Sequence, residues 1–224
     1  PASMPGGRRW SSAGLAAVWA QENTRESLYD AMLRKETYAT SGPRIVVRFL
    51  GGWNYPKDLF KQQNWVTQAE QHGVAMGQKL PAGDAAAPDF AVWAMRDPLS
   101  GNLDRIQIIK GWIDNAGKSH EKPFNVAWSG PRSLDTAGTL PAVGNTVDAT
   151  TATYANNIGS GQLSAVWTDP EFDPLQEAFY YARVIEIPTP RWSTYDAVTL
   201  GIPAPEPISL QERAVTSAIW YQPQ

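Results

Sequence analysis

The sequence predicts a mainly β fold with a few helices: an Ig-like antiparallel β-sandwich preceded by a capped amphipathic helix. Two observations support this prediction. Short segments of alternating apolar and polar residues recur from residue 44 onward, and Gly, Pro, Asn and Asp separate them. Apolar residues recur at the spacing of a helix, every three to four residues, only near the N-terminus and in one short insertion. With 224 residues, the chain can form one large domain or two small ones.

The amphipathic helix is predicted from residue 23 to about residue 35. Asn23 is a suitable N-cap, and Glu26 can reach back to its backbone as in a capping box. Leu28 and Met32 lie one turn apart and form an apolar face together with Ala31. An apolar helix face is normally buried, so we expect a packing partner for this one.

A turn at residues 39–43 is predicted to end the helical unit, because Gly42 allows a tight turn and Pro43 cannot continue a helix. A strand of alternating character follows from Arg44. The predicted organisation is therefore an N-terminal tail and helix over residues 1–42 and a β-sandwich over residues 43–224. A helical insertion is predicted within the sandwich at about residues 56–73.

Later segments continue the strand pattern. Strands are predicted at residues 74–76, 90–95, 105–113, 124–128, 150–154, 163–167, 179–187 and 219–221. Residues 129–149 are polar and rich in Gly and Pro, which indicates a long connection. Residues 188–207 are rich in proline, and we expect them to run extended over the surface without a helix.

Composition excludes several classes of function. The net charge of -3 and the pI near 5.4 argue against nucleic-acid binding through a basic face. Without cysteine the chain can form neither a disulfide framework nor a thiolate metal site. No apolar run reaches the roughly 18 residues of a membrane-spanning helix, so we expect a soluble protein. The first residue is Pro1 rather than Met, which suggests a trimmed or processed chain.

Motifs for metal binding or catalysis are weak. Neither His72 nor His120 has another histidine or a carboxylate three or four residues away, so structural roles are favoured for both. Asp169, Glu171 and Asp173 alternate like calcium ligands, but the glycine and distal glutamate of a calcium loop are missing. No convincing Ser-His-Asp set can be assembled. The sequence predicts no catalytic residue and no metal ligand in this chain.

A binding site is predicted at the helix-to-strand turn, if the chain has one of its own. Thr40, Ser41 and Arg44 are the candidate substrate-binding residues, with Arg25 nearby. An arginine fork at such a turn can pair with a phosphate or a carboxylate. The alternative is that both arginines bind carbonyl or carboxylate groups within the fold.

The ten tryptophans permit a second kind of site. Most lie on predicted strands, where core or sheet-face packing is their usual role. Trp53, Trp65 and Trp192 lie in or beside predicted loops and could form an aromatic platform for a sugar or an aromatic ligand.

Several longer motifs carry a family resemblance. They are Gly14 to Ala20, Glu22 to Leu28, Glu36 to Gly42, Asp104 to Ile108 with Lys110 to Trp112, Tyr180 to Val184, and Ser217 to Tyr221. In these motifs the chain resembles the bacterial family called domain of unknown function 3604. That family is similar to the PHP-type metal-dependent phosphoesterases and to amidohydrolase-like hydrolases.

The resemblance implies a metal-binding, barrel-like domain upstream, followed by a β-rich domain. A divalent metal and catalysis are then expected in the upstream domain, which is the expected partner, and no cofactor is expected in this chain. It also implies a bacterial protein, which is compatible with a place outside the cytoplasm. Two other functions stay open: a freestanding Ig-like module that binds carbohydrate or protein, and a structural domain that oligomerises through the exposed helix face.

Overall fold

The computed structural model describes residues 13–81, 83 and 86–223. The strands are β1 Leu15–Val18, β2 Thr37–Thr40, β3 Val46–Gly52, β4 Gly73–Ala75, β5 Asp89–Met95, β6 Leu103–Ile113, β7 Ser119–Trp128, β8 Val147–Asp148, β9 Thr153–Tyr154, β10 Gln162–Thr168, β11 Ala178–Pro190, β12 Ser209–Thr216 and β13 Ile219–Tyr221. The helices are α1 Arg25–Leu33, α2 Trp65–Gln71 and α3 Trp192–Leu200, and a short 3-10 turn at Leu59–Lys61 precedes α2.

Two antiparallel sheets form the fold. The larger sheet has the order β1-β2-β12-β11-β6-β7, with β13 also paired to β11, and the smaller sheet has the order β10-β5-β3-β4. Strands β8 and β9 form a separate two-stranded ribbon. The mainly β fold with antiparallel sheets predicted from the sequence is therefore confirmed, and the arrangement is consistent with a β-sandwich.

The core lies between the inner faces of the two sheets. Phe49 of β3 stacks on Phe90 of β5 at 5.7 Å, and Phe90 lies 4.3 Å from the ring of Tyr180 of β11. Alternate residues of β6 and β11 complete this core, among them Ile106, Ile108, Ala182 and Val184. Because side chains alternate along a strand, the intervening residues of β6 and β11 lie on the outer face of the larger sheet.

One ion pair is buried inside this apolar core. The Lys110 ammonium lies 2.7 Å from the Asp169 carboxylate, and the Tyr180 hydroxyl donates to the same carboxylate at 2.7 Å. Lys110 also donates to the carbonyl oxygen of Glu171. Burial, reinforced by the charge of Asp169, raises the pKa of Tyr180 above its usual value. This contact joins β6 and β11 to the loop that follows β10.

Helix α1 differs from the prediction at both ends. Thr24 is the N-cap in place of Asn23, and it accepts a hydrogen bond from the Ser27 N–H at 3.3 Å. The helix ends at Leu33, and the predicted turn from residue 39 begins later because β2 occupies Thr37–Thr40. Strand β2 lies between β1 and β12, so this segment belongs to the larger sheet. The domain division after residue 42 stays a prediction.

The predicted apolar face of α1 is only partly buried. Ala31 is completely buried, whereas Tyr29, Met32 and Leu33 are 58, 51 and 62 % exposed. The face extends beyond the area that β1 and β2 cover.

The proline-rich segment was predicted wrongly. Helix α3 forms at Trp192–Leu200, because this window contains no proline and the prolines of the segment flank it on both sides. Gly201 ends the helix in the left-handed conformation, with φ 64°. Strand β12 follows and was missed, since its alternation in Ser209–Thr216 is interrupted by charged residues.

The other predicted elements have these outcomes. The strand predicted from Arg44 is confirmed as β3, and the strand predicted at 74–76 as β4. The strands predicted at 90–95, 105–113, 124–128, 163–167, 179–187 and 219–221 are confirmed within β5, β6, β7, β10, β11 and β13. The segment at 150–154 is reduced to the two residues of β9, and the helical insertion is shorter than predicted. Within the described part of the chain, no helix has the length and apolar character that a membrane crossing needs.

The buried ion pair yields a stability prediction. Asp169→Ala leaves the Lys110 ammonium buried without its counter-charge, so we expect a loss of about 3–5 kcal/mol in unfolding free energy. The matched control is Asp173→Ala in the same loop. Asp173 is exposed and accepts one backbone N–H, so that substitution should cost about 1 kcal/mol or less. Urea denaturation measures both, and equal losses would contradict the structural role assigned to Asp169.

Candidate functional site

The candidate site lies at the end of the sandwich where the β2–β3 turn meets β12 and the loop after β5. Ser41 in this turn donates its hydroxyl proton to the Glu212 carboxylate and accepts the Arg213 N–H at 2.8 Å. These bonds fix the turn to β12. The polar residues around it form the candidate site: Ser41, Arg44, Asp97, Ser100, Glu186 and Glu212.

Asp97 is the ionised member of this site. Its carboxylate accepts the Arg44 N–H at 2.7 Å and the Leu99 N–H at 2.9 Å. Burial opposes the ionisation of Asp97, but these two N–H groups, with the charges of Arg44 and Arg96, hold its pKa below the usual value. Asp97 is therefore an acceptor that stays charged at neutral pH.

Glu186 is the member of the site whose pKa is raised. It lies in β11 at a bulge, where the pairing register shifts against both β6 and β12. The side chain is fully buried, and Ser100 Oγ donates to its Oε2 at 2.6 Å. The other oxygen, Oε1, has no hydrogen-bond partner among the described residues. Burial, followed by repulsion from Glu212 and Asp97, raises the pKa of Glu186 to about 7.

The site thus pairs two carboxyl groups whose pKa values move in opposite directions. Asp97 accepts hydrogen bonds as an anion, whereas Glu186 can hold a proton near neutral pH. Opposed carboxyl groups of this kind are typical of sites that transfer a proton or bind a polar ligand. Glu186 is shielded from solvent, and this burial is the main cause of its raised pKa.

Three of the four predicted site residues lie in this turn, and the fourth does not. Thr40 is buried and accepts the Gly42 N–H at 3.3 Å, while Ser41 binds β12 and Arg44 is exposed beside Asp97. Arg25 is the first residue of α1, which connects the other ends of β1 and β2. The structure therefore separates Arg25 from the turn. Substrate binding by these residues stays a prediction.

Sequence reasoning missed the carboxyl groups of the site, although one signal was present. Position 186 has the same parity as Tyr180, Ala182 and Val184, so the period of β11 directs a carboxyl toward the core. A charged residue at a core-facing position of an apolar strand is a marker of function or of pairing. Asp97 carried no such signal, because its role depends on contacts with residues distant in sequence.

The residues considered as metal ligands serve other contacts. His72 is the C-cap residue of α2. His120 Nε2 lies 2.7 Å from the Asp114 carboxylate, and the His120 ring stacks on Trp112. Asp169 binds Lys110, whereas Glu171 pairs with Lys122.

Across residues 13–81, 83 and 86–223, no group of three or more His, Asp and Glu side chains is arranged to hold a metal. The resemblance places the divalent metal in an upstream domain, and that expectation stays a prediction. We assign no step in this chain to a metal.

The three loop tryptophans do not form one platform. Trp53 lines a cavity of about 690 Å³ together with Tyr55 and His72. Trp65 packs against Phe60 with ring centres 4.8 Å apart. Trp192 lies in α3, where the Arg191 guanidinium is 5.5 Å from its ring.

Glu186 yields a pH prediction. Its pKa is raised from 4.5 to about 7, so between these values the folded state binds more protons than the unfolded state. The contribution of Glu186 to the unfolding free energy should therefore be fully present below about pH 4.5 and fall by about 3 kcal/mol as the pH rises through 7.

Glu186→Gln stays neutral at every pH and should remove this part of the pH dependence. The exposed Glu177→Gln variant should keep it. Thermal or urea unfolding at pH 5 and pH 8 measures the difference, and an unchanged pH dependence in Glu186→Gln would contradict the raised pKa.

Comparison with known proteins identifies the family. The model of the family described as "Protein of unknown function (DUF3604)" matches residues 3–223, which is nearly the whole chain. No curated protein and no solved structure matches the chain. The family match agrees with the resemblance of the motifs described above. The chain belongs to the DUF3604 family.

Proposed function

We propose that this chain is the accessory β-rich portion of a PHP-like metal-dependent hydrolase, with a phosphoesterase-like reaction. In this proposal an upstream domain of the same protein holds the divalent metal, which activates water for attack on the substrate. This chain supplies a docking surface and a stable β-sandwich. The proposal rests on the motif resemblance and on one structural observation, the exposed apolar face of α1.

The α1 face has the properties of an interdomain contact. Tyr29, Met32 and Leu33 are each more than half exposed, and they project from one short helix. Large apolar side chains clustered on a surface mark sites of interaction with another domain or protein. Arg25 precedes Tyr29 by one helical turn, and Tyr29 precedes Leu33 by another, so these three residues share a stripe.

This geometry changes the role that we propose for Arg25. At the first turn of α1, its guanidinium can pair with a carboxylate of the upstream domain at the edge of the contact. Arg44 and the candidate site lie at the other end of β2, where a ligand can reach Arg44 from solvent.

A direct test compares the longer protein encoded by the gene with the 224-residue chain. With bis(p-nitrophenyl) phosphate as probe, we expect Mn²⁺- or Zn²⁺-dependent hydrolysis by the longer protein, loss of hydrolysis on chelation, and none by the 224-residue chain. Hydrolysis at the same rate by the 224-residue chain would refute the proposal. A gene that encodes no upstream domain would also refute it.

The docking role predicts a stability difference between two pairs of substitutions. Tyr29→Ser with Leu33→Ser should lower the melting temperature of the longer protein by several degrees, because the contact loses apolar area. The same pair should change the 224-residue chain by about 0.5 kcal/mol or less per site, since both residues are exposed there.

The matched control is Leu200→Ser with Ile202→Ser, two exposed apolar residues at the end of α3. This pair should have little effect on either protein. Equal effects of the two pairs in the longer protein would contradict docking through α1.

The exposed face also supports a structural alternative, self-association of this chain. Sedimentation velocity of the 224-residue chain separates the two. A dimer that the Tyr29→Ser and Leu33→Ser pair dissociates would favour oligomerisation through α1. A monomer at every concentration would favour the upstream domain.

A further inference from the structure

We propose that the outer face of the larger sheet binds an oligosaccharide that carries carboxylate groups, such as a chain of uronic acids. The site consists of an aromatic platform on β11 and β13 and a polar cavity between β6, β7 and the loop that follows β7. This inference goes beyond the proposed function and does not depend on it. Four features of the outer face support it.

The first feature is a row of aromatic rings on the outer face. Phe179 and Tyr181 alternate with the core residues of β11, and their rings are nearly parallel, with centres 6.4 Å apart. Trp220 of β13 is the cross-strand neighbour of Phe179, and it is 47 % exposed. The Phe179 ring covers the backbone of Gly111, where an added Cβ would lie 2.2 Å from the ring. Gly111 therefore keeps the Phe179 ring close to the sheet.

The second feature is a cavity of about 590 Å³ beside this platform, with a built polar floor. Arg183, Gln107 and Asn125 occupy neighbouring cross-strand positions on β11, β6 and β7. The Arg183 guanidinium donates to Gln107 Oε1 at 2.8 and 3.0 Å, and Gln107 Nε2 donates to Asn125 Oδ1 at 2.9 Å. Gln107 is 7 % exposed, so the three hydrogen-bonded side chains of Arg183, Gln107 and Asn125 have fixed positions.

The third feature is the side of the cavity formed by the loop after β7, whose position the side chain of Arg132 fixes. Arg132 lies in the loop after β7 and donates to the carbonyl oxygens of Ser129 and Pro141 at 3.0 and 2.9 Å. It also lies 2.7 Å from the carboxylate of Asp104, a fully buried residue at the start of β6. Gln211 of β12 donates to the same carboxylate at 2.9 Å. The loop is thereby fixed over the sheet as a side of the cavity.

The fourth feature is the charge around the cavity. On the outer face three cationic side chains, those of Arg105, Arg132 and Arg183, lie near two carboxylates, those of Asp104 and Glu121. The chain as a whole has a net charge of -3, so this cluster is opposite in sign to the protein. A local excess of positive charge attracts anionic ligands, and arginine forks suit carboxylates.

These features together select the class of ligand. The platform and the cavity lie along one strand, with about 13 Å between Phe179 and Arg183 at the usual rise of a strand. A saccharide of several units can span this distance, and its ring faces can lie on the aromatic side chains. Amide groups and arginine forks can bind its hydroxyl and carboxylate groups. A neutral saccharide would form no ion pair with the arginines of the cavity, and a small anion would make no contact with the aromatic platform.

Isothermal titration calorimetry on the 224-residue chain tests the proposal. Tetragalacturonic acid should bind once per chain, with an affinity that falls as NaCl is raised. Cellotetraose, a neutral saccharide of the same length, should bind at least tenfold more weakly. Inorganic phosphate should not compete at similar concentrations.

Variants locate the binding on this face. Arg105→Met removes a cation that lines the cavity and should weaken binding of tetragalacturonic acid about tenfold, while Lys118→Met in the exposed β6–β7 turn should not. Tyr181→Ala removes the centre of the platform and should weaken binding as well, with Tyr195→Ala of α3 as its control. Circular dichroism confirms the fold of each variant.

Three results would overturn the proposal. They are no binding of tetragalacturonic acid at millimolar concentration, equal binding of cellotetraose, or unchanged affinity in both Arg105→Met and Tyr181→Ala. Competition by phosphate at similar concentrations would point to a general anion site and would also refute saccharide recognition. None of these results bears on metal-dependent hydrolysis by the longer protein, so the two proposals fail independently.

Discussion

The alternation of side chains along β11 is the constraint on which the rest of this structure depends. This strand pairs with β6, β12 and β13, so it fixes the position of most of the larger sheet. One set of its residues, including Tyr180, builds the core against the smaller sheet. The other set, including Tyr181 and Arg183, covers the outer face. At the bulge near its end, the inward-facing position carries Glu186 in place of an apolar residue.

Polar groups inside this fold are arranged in two different ways. The Lys110–Asp169 pair is compensated by charge and by the Tyr180 hydroxyl, so it joins elements of the core. One carboxyl oxygen of Glu186 accepts a hydrogen bond from Ser100, and the other has no partner among the described residues. The raised pKa of Glu186 favours the uncharged carboxyl group at pH values below about 7. The first arrangement is structural, whereas the second marks the end of the sandwich as a candidate functional site.

Periodicity and turn residues in the sequence were enough to predict the mainly β fold and eight of its strands, because local alternation decides which residues form a half-buried strand. They failed for α3, since a short proline-free window is hidden inside a proline-rich segment. The turn predicted at residues 39–43 begins after Thr40, because β2 extends to that residue. Its neighbours Asp97 and Glu186 could not be assigned to it, because β-sheet pairing brings distant residues together and sequence spacing does not record that pairing.

The most direct test of the proposed docking is the oxidation of methionine in the longer protein that we propose and in the 224-residue chain. Met32 of α1 is 51 % exposed and Met95 at the end of β5 is 40 % exposed, so both should react in the 224-residue chain. Docking of an upstream domain on α1 predicts that Met32 becomes protected in the longer protein, while Met95 serves as the internal reference. Equal oxidation of Met32 in both proteins, after normalisation to Met95, would contradict the account.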